Sequence, residues 1–290
     1  MWADRFLALS GADAPTVVGP KLLAFQRFFL LAVTTELLWE LSRRSALSSP
    51  AGFGLLLLFG VVCVLGWVPR LARAAAIAAA LLILIKNAPF FPILSNHQYL
   101  ETLCVFLLAL FDHRDGEQRQ KLLQSLRWLF LIGLFYSGFQ KLTYGYYFQG
   151  EFFAGAIATD ERFAALFRHL LPAEEFARIR ELSGIPSAGP YRVQSPLVIG
   201  ISNLTYVSEM LLPPMLLFSK TRTLAVALAL AFILAIELGA REIIFGSFMV
   251  SLALLFTRRN VNGLALPGFV VLFACLAAMV LGLLPDWGLS

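Results

Sequence analysis

The chain is 290 residues long, 59% hydrophobic and 14% charged, with a formal net charge of +5. A soluble domain carries about a quarter charged residues, so this composition excludes an ordinary water-soluble domain and points to an integral membrane protein. In such a chain the basic excess sets orientation and is no sign of nucleic-acid binding.

Residues 1–21 contain Asp4, Asp13, Pro15 and Pro20 and do not read as a signal peptide. Apolar segments follow at 22–41, 51–68, 71–85, 98–111, 122–144, 197–218, 224–240, 243–257 and 264–284. The segments 224–240 and 243–257 are together too long for one crossing. They predict a tight hairpin turning at Gly239-Ala240-Arg241-Glu242, either two spans or a re-entrant pair. Pro213-Pro214 should kink or break the segment that carries it. Cys63, Cys104 and Cys275 all fall inside apolar runs and read as small buried hydrophobes. The expected fold is all-α: a single polytopic helical membrane domain over 1–290, with eight or nine transmembrane helices and short amphipathic surface helices.

Orientation follows from the short loops. Arg5, Lys21, Arg70, Arg73, Arg114, Arg119, Lys121, Lys220, Arg222, Arg258 and Arg259 fall on one face, against Arg43, Arg44, Lys86 and Arg241 on the other. The first face is therefore expected to be cytoplasmic, as in a bacterial inner-membrane protein with its N-terminus inside. The connection 145–196 then lies outside. Phe163, Leu166, Phe167, Leu170 and Leu171 recur there at helical spacing. A second short helix is expected from Pro172, a favoured first-turn residue, carrying Phe176, Ile179 and Leu182. Both read as amphipathic helices lying on the membrane surface or on the bundle.

The polar residues inside the apolar segments carry the chemistry. Lys141 stands 19 residues beyond Leu122, roughly 28 Å along a helix axis, near the outer boundary. A charge at membrane depth is costly and marks a functional site by default. Ser137 and Gly145 lie one turn away on the same face and Gly138 three residues back, leaving room for another helix or a flat ligand. A lysine in a low-dielectric pocket loses its proton more readily and can serve as a base. The alternative is a lysine that anchors the helix at the headgroups. Asn96 and His97 open the fourth segment, with Glu101 one turn deeper. Glu36 and Glu40 are candidate ion-pair partners, and Lys86 fits a lysine that snorkels to the interface. Glu237, Arg241 and Glu242 stand at similar height, and Glu209 is deeper. His113 and His169 sit in polar segments and make no case for a metal.

Two stretches resemble a known family. Ser95-Asn96-His97-Gln98-Tyr99-Leu100 is similar to an Asn-His-x-Tyr-Leu stretch of the membrane domain of vitamin K-dependent gamma-glutamyl carboxylase. Tyr136-Ser137-Gly138-Phe139-Gln140-Lys141-Leu142, with Tyr146 and Gly150 after it, resembles that family's Ala-Gly-x-x-Lys-Leu-x-x-x-Trp-x-x-Gly. Together with the segment from Glu209 to Phe256, the resemblance covers about residues 22–257. The wider group is the HTTM (horizontally transferred transmembrane) domain.

The resemblance implies a reduced quinone, of the vitamin K or menaquinone type, as cofactor. It implies Lys141 as the base that deprotonates the quinol, and Asn96 and His97 as contacts to the quinone oxygen. Ser137 and Gly138 would border the quinone, with Glu101, Glu209 and Glu237 in support. Glu237 stands one turn beyond Ile233, which occupies the place of a family histidine. Tyr146 stands where the family has Trp. The family's large extracytoplasmic domain has no counterpart in these 290 residues, so the substrate is left open, a small secreted peptide being one candidate. The alternative that the resemblance allows is a non-catalytic partner in the maturation of a secreted peptide, of the sporulation-delaying-protein B type. The partners expected are membrane lipids, a quinol and such a peptide.

Overall fold

The computed structural model describes residues 15–43, 49–92, 96–182, 192–240 and 242–257. Among them every regular element is a helix. In chain order these are α1 Pro15–Arg43, α2 Pro50–Gly66, α3 Ala72–Asn87 with a short 3-10 turn Ala88–Phe90, α4 Asn96–Leu110 and α5 Gly116–Tyr144. There follow α6 Glu151–Thr159, α7 Glu161–Phe167, α8 Ala173–Glu181, α9 Pro196–Leu217, α10 Arg222–Ala240 and α11 Ile243–Leu254. The expected segment 264–284 and Cys275 lie outside the described residues.

Among the described residues, three helices are long and apolar enough to cross a membrane: Thr16–Leu41, Ala72–Phe90 and Gly116–Tyr144. That is compatible with an integral membrane protein. Eight or nine crossings is a finer count than these lengths carry, because Pro50–Gly66, Gln98–Leu110 and Ile244–Leu254 fall short of the ~20 residues of a perpendicular span.

The helix ends follow local chemistry. Ser49 caps α2 by accepting from the Gly52 amide at 3.0 Å, and Pro50 fills the first position, where no amide donor is needed. Asp115 accepts from the Glu117 amide at 2.9 Å at the start of α5. The same helix stops at Gly145, whose φ of +74° suits a residue without Cβ. Its amide returns to the Lys141 carbonyl at 3.1 Å. Of the two effects expected of Pro213 and Pro214, a kink or a break, the break does not occur: α9 runs on to Leu217. Its last carbonyls are met from the side: Thr221 Oγ1 donates to Met215 at 2.6 Å and Arg222 Nε to Leu216 at 3.1 Å.

The contacts group the chain into two compact units, residues 1–130 with 243–290, and residues 131–242. In the first, α3 turns a stripe of Ala72, Ala75, Ala76, Ala79 and Ile83 into the core, small residues that let neighbouring helices approach. Gln26 Nε2 donates to the Ala72 carbonyl at 2.6 Å. Phe29 meets Phe248 of α11 at a ring separation of 5.6 Å. The buried Arg127 caps the end of that helix through the Leu255 carbonyl, with its Nη2 at 2.6 Å.

In the second unit, α9 and α10 pack together beside a layer made by α6, α7 and α8. Phe153, Ile157, Phe167, Leu171 and Ile179 form its core. The helices α7 and α8 fall within the stretches that the apolar spacing predicts, but α7 ends at Phe167, and Leu170 and Leu171 of the expected repeat lie in the turn after it. Of the two placements expected, α7 lies on the bundle: Phe163 and Leu166 crowd Gly239 of α10, where a Cβ would sit 3.4 Å from the Phe163 ring. The helix α6 has no counterpart in the sequence reading. Its nine residues include Gly155 and are too few for a periodicity to show.

Candidate functional site

Lys141 lies one turn from the end of α5, where its side chain meets Glu209 of α9. Its Nζ donates to both oxygens of Glu209, at 2.6 and 2.6 Å, and to Ser137 Oγ at 2.8 Å. Ser137 Oγ in turn donates to Glu209 Oε1 at 3.2 Å. The three side chains close a ring of hydrogen bonds. The side chains of Lys141 and Glu209 are 15% and 5% exposed, so the lysine is the more accessible member of the pair.

Sequence accounts for each part of this ring. Residues four apart stack on one helix face, which brings Ser137 under Lys141. Gly138 allows α9 to come close. A Cβ there would stand 2.8 Å from Glu209 Cβ and 2.9 Å from the Tyr206 carbonyl. The room beside Gly138 is thus taken by a helix, so this glycine acts by letting Glu209 reach Lys141. Buried charges persist when paired and hydrogen-bonded, and Glu209, 4% exposed as a residue, finds its cation one helix away.

The loop after α5 completes the site. Ser202 Oγ of α9 donates to the Tyr147 carbonyl at 2.6 Å, and Asn203 Nδ2 donates to the Phe148 carbonyl at 3.2 Å. Held so, the Tyr147 ring lies 5.4 Å from Lys141 Nζ, within range of a cation–π contact. Burial, with the Glu209 charge behind it, pushes the Tyr147 phenol up, which keeps it neutral. Tyr147 stacks on Phe152 with ring centres 4.8 Å apart. One wall of the site is therefore aromatic and the other ionic.

Glu237 is half-buried on α10 with Glu242 as its charged neighbour, and its Oε2 has no hydrogen-bond partner. Asn96 and His97 open α4, and their side chains lie outside the described part of the structure. Glu101 is buried on α4 beside Glu36 and Lys86. Lys86 does not snorkel as expected: it is 8% exposed, with Nζ 3.3 Å from Glu36 Oε1. A buried carboxylate one helix away offered it a better partner than water. Cys63 and Cys104 are buried free thiols. Among the described residues, no group of three or more His, Cys, Asp or Glu side chains is placed to hold a metal ion.

Tyr147 was missed by the sequence reading, and only its position six residues past the lysine could have suggested it. Glu209 was visible as a deep acid, and charge balance was the signal that could have joined it to Lys141.

Fold and site together define an all-helical protein, compatible with a membrane, that carries a nearly buried lysine–carboxylate pair roofed by a tyrosine. No protein-family model, curated protein or solved structure matches the chain.

Proposed function

We propose that the chain is an integral membrane enzyme that binds a reduced quinone beside Lys141 and uses the Lys141–Glu209 pair to take a proton from its hydroxyl. The observation that carries this reading is the bidentate contact of 2.6 Å between Lys141 Nζ and Glu209 on a helix able to cross a membrane. An ionisable pair in such a helix is costly to keep for packing alone.

The residues present suit a quinol. Lys141 is the accessible member of the pair, and the Tyr147 ring beside it offers an aromatic face. In the state shown, the lysine holds its proton against Glu209. To accept a proton from a ligand, the ammonium first passes one to the carboxylate, leaving a neutral amine and a neutral acid. Ser137 touches both and keeps them aligned through the exchange. A bound quinol, oxidised by oxygen as the carboxylase resemblance implies, would supply a base strong enough to attack an inert C–H bond. The substrate that loses that proton belongs to the same proposal, a small secreted peptide being the candidate. Asn96 and His97 are proposed as further quinone contacts on the resemblance alone.

The finer topology belongs here too: eight or nine crossings in a bacterial inner membrane, N-terminus inside, residues 145–196 outside. The distribution of Lys and Arg between the loops supports it.

Mass spectrometry of lipids co-purified with the full chain tests the ligand. Wild-type protein is expected to carry a quinone in excess of the surrounding lipid, and Lys141→Ala to carry less. Folded wild-type protein without any enriched quinone contradicts the reading and favours the non-catalytic peptide partner.

A further inference from the structure

The packing of Tyr147 accounts for its ring and leaves its hydroxyl unused. The residue is 4% exposed. Its ring stacks on Phe152 with centres 4.8 Å apart and planes 14° apart. It makes an edge contact with Phe153 at 6.0 Å and a tilted one with Tyr146 at 5.3 Å. These contacts, and the one to Lys141 Nζ, are made by the ring, and a phenylalanine would make them equally well. Among the described residues the hydroxyl has no hydrogen-bond partner, whereas a buried tyrosine usually finds one for its O–H.

The backbone fixes this side chain in advance. The loop 145–150 runs between two glycines of positive φ, Gly145 at +74° and Gly150 at +68°. The Phe148 amide donates to the Gly145 carbonyl at 3.0 Å, and the Gly150 amide to the Tyr147 carbonyl at 3.2 Å. Val193 lies against Gly150, where a Cβ would stand 3.0 Å from Val193 Cγ2, and its amide donates to the Gln149 carbonyl at 3.3 Å. Ser202 and Asn203 bind the same loop, so α9 holds both the segment that carries Tyr147 and the acid that pairs with Lys141. A group fixed beforehand loses little freedom when a ligand binds.

The hydroxyl narrows the chemistry of that ligand. Burial and the Glu209 charge keep the phenol protonated, so its O–H is available as a donor. It suits an oxygen acceptor on a flat ring and offers nothing to a ring of hydrocarbon alone.

We propose that the Tyr147 hydroxyl donates a hydrogen bond to a ring oxygen of the ligand that Lys141 deprotonates, and so selects aromatic ligands that carry oxygen. This role rests on the quinol reading of the Lys141–Glu209 site and adds to it a residue that holds the ligand directly. Lys141 takes the proton, Glu209 partners the lysine, and Tyr147 orients the ring.

Binding of menadione, the naphthoquinone ring of vitamin K without its tail, to the full chain in nanodiscs tests this role. Tyr147→Phe removes the hydroxyl alone. Wild type is expected to bind menadione, and Tyr147→Phe to bind it roughly 3- to 10-fold more weakly. In infrared difference spectra a carbonyl stretch of the bound quinone should move up in the variant, because a hydrogen bond to that carbonyl is lost. Without menadione, the thermal midpoint of the variant should equal or exceed that of wild type, because no bond within the protein is lost. A lower midpoint, or a variant that does not fold, would show that the hydroxyl serves the protein's own packing and would overturn the proposal. Equal affinity with an unchanged carbonyl stretch would overturn it too, while leaving quinone binding beside Lys141 in place. Wild type that binds no menadione would overturn the quinol reading and this role together.

Discussion

Lys141 and Glu209 depend on each other, and that dependence can be measured. Removing one partner of a buried pair leaves the other charge stranded, at a cost of about 3–5 kcal/mol. Lys141→Ala is therefore expected to lower the thermal midpoint in detergent markedly, and Lys141→Ala/Glu209→Gln to recover most of the loss. A double variant no better than the single one would mean that the pair contributes nothing. The position of Lys141 near a helix end suggests tolerance to truncation, but the structure removes that expectation, because its ammonium is turned onto an acid that has 4% exposure. Two glycines of α5 make a matched pair at the same scale. A Cβ at Gly138 would collide with Glu209 and the Tyr206 backbone, whereas at Gly133 it meets nothing within 4 Å. Gly138→Ala should destabilise by about 1–3 kcal/mol. Gly133→Ala should be neutral or stabilise by up to about 1 kcal/mol. Equal midpoints for the two would show that α9 does not depend on Gly138.

The short helices outside the candidate spans rest on identifiable local bonds. Asp160 caps α7 through the Arg162 amide at 2.8 Å and also accepts from the Arg162 guanidinium, with Nη2 at 2.7 Å. That guanidinium holds the Asp160 carboxyl below the usual carboxylate range. A carboxyl depressed in the folded state contributes stability that is fully present above its unfolded pKa and is lost as pH falls through the folded value. Hydrogen-exchange protection of the Ala164 and Arg168 amides, corrected for intrinsic rates, should therefore fall on acidification through the carboxylate range. Asp160→Asn, which still caps, should flatten that dependence, and Asp160→Ala should weaken α7 by about 1 kcal/mol at any pH. Protection that ignores both changes would remove the cap from the account. Much at this scale was legible in advance. The apolar period of 163–171 and the proline at 172 mark α7 and α8, because an amphipathic face leaves a repeat in the chain. By contrast, α6 is held by tertiary packing of Phe153 and Ile157 and leaves no such repeat. Pro213-Pro214 do not end α9: the carbonyls they cannot serve lie upstream, while Thr221 and Arg222 secure the end of the helix.

For the whole molecule, composition was enough to indicate helices, several of them compatible with a membrane, since the chain has few charges and long apolar runs. The candidate site was half legible. Lys141, Ser137 and Gly138 share one stretch of sequence, but Glu209 and Tyr147 join them only when the chain folds, and no local pattern encodes a contact between positions 141 and 209. The proposed topology can be checked directly. With Cys63, Cys104 and Cys275 replaced, a cysteine at Glu174 should react with an impermeant reagent in intact cells, and one at Gly116 only after lysis; the reverse pattern would invert the orientation. The central claim is that Lys141 serves as a base in partnership with Glu209, and Lys141→Arg addresses it most directly. Arginine can keep the bidentate bond to Glu209, so the fold and the positive charge survive, but it stays protonated at any working pH. Oxygen-dependent turnover of a supplied quinol should be measured for wild type and Lys141→Arg, each confirmed as folded. A base contributes roughly 10²–10⁴-fold, so the account predicts a loss of that size in the variant; near wild-type turnover by Lys141→Arg, or no turnover by wild type with any quinol, would contradict it.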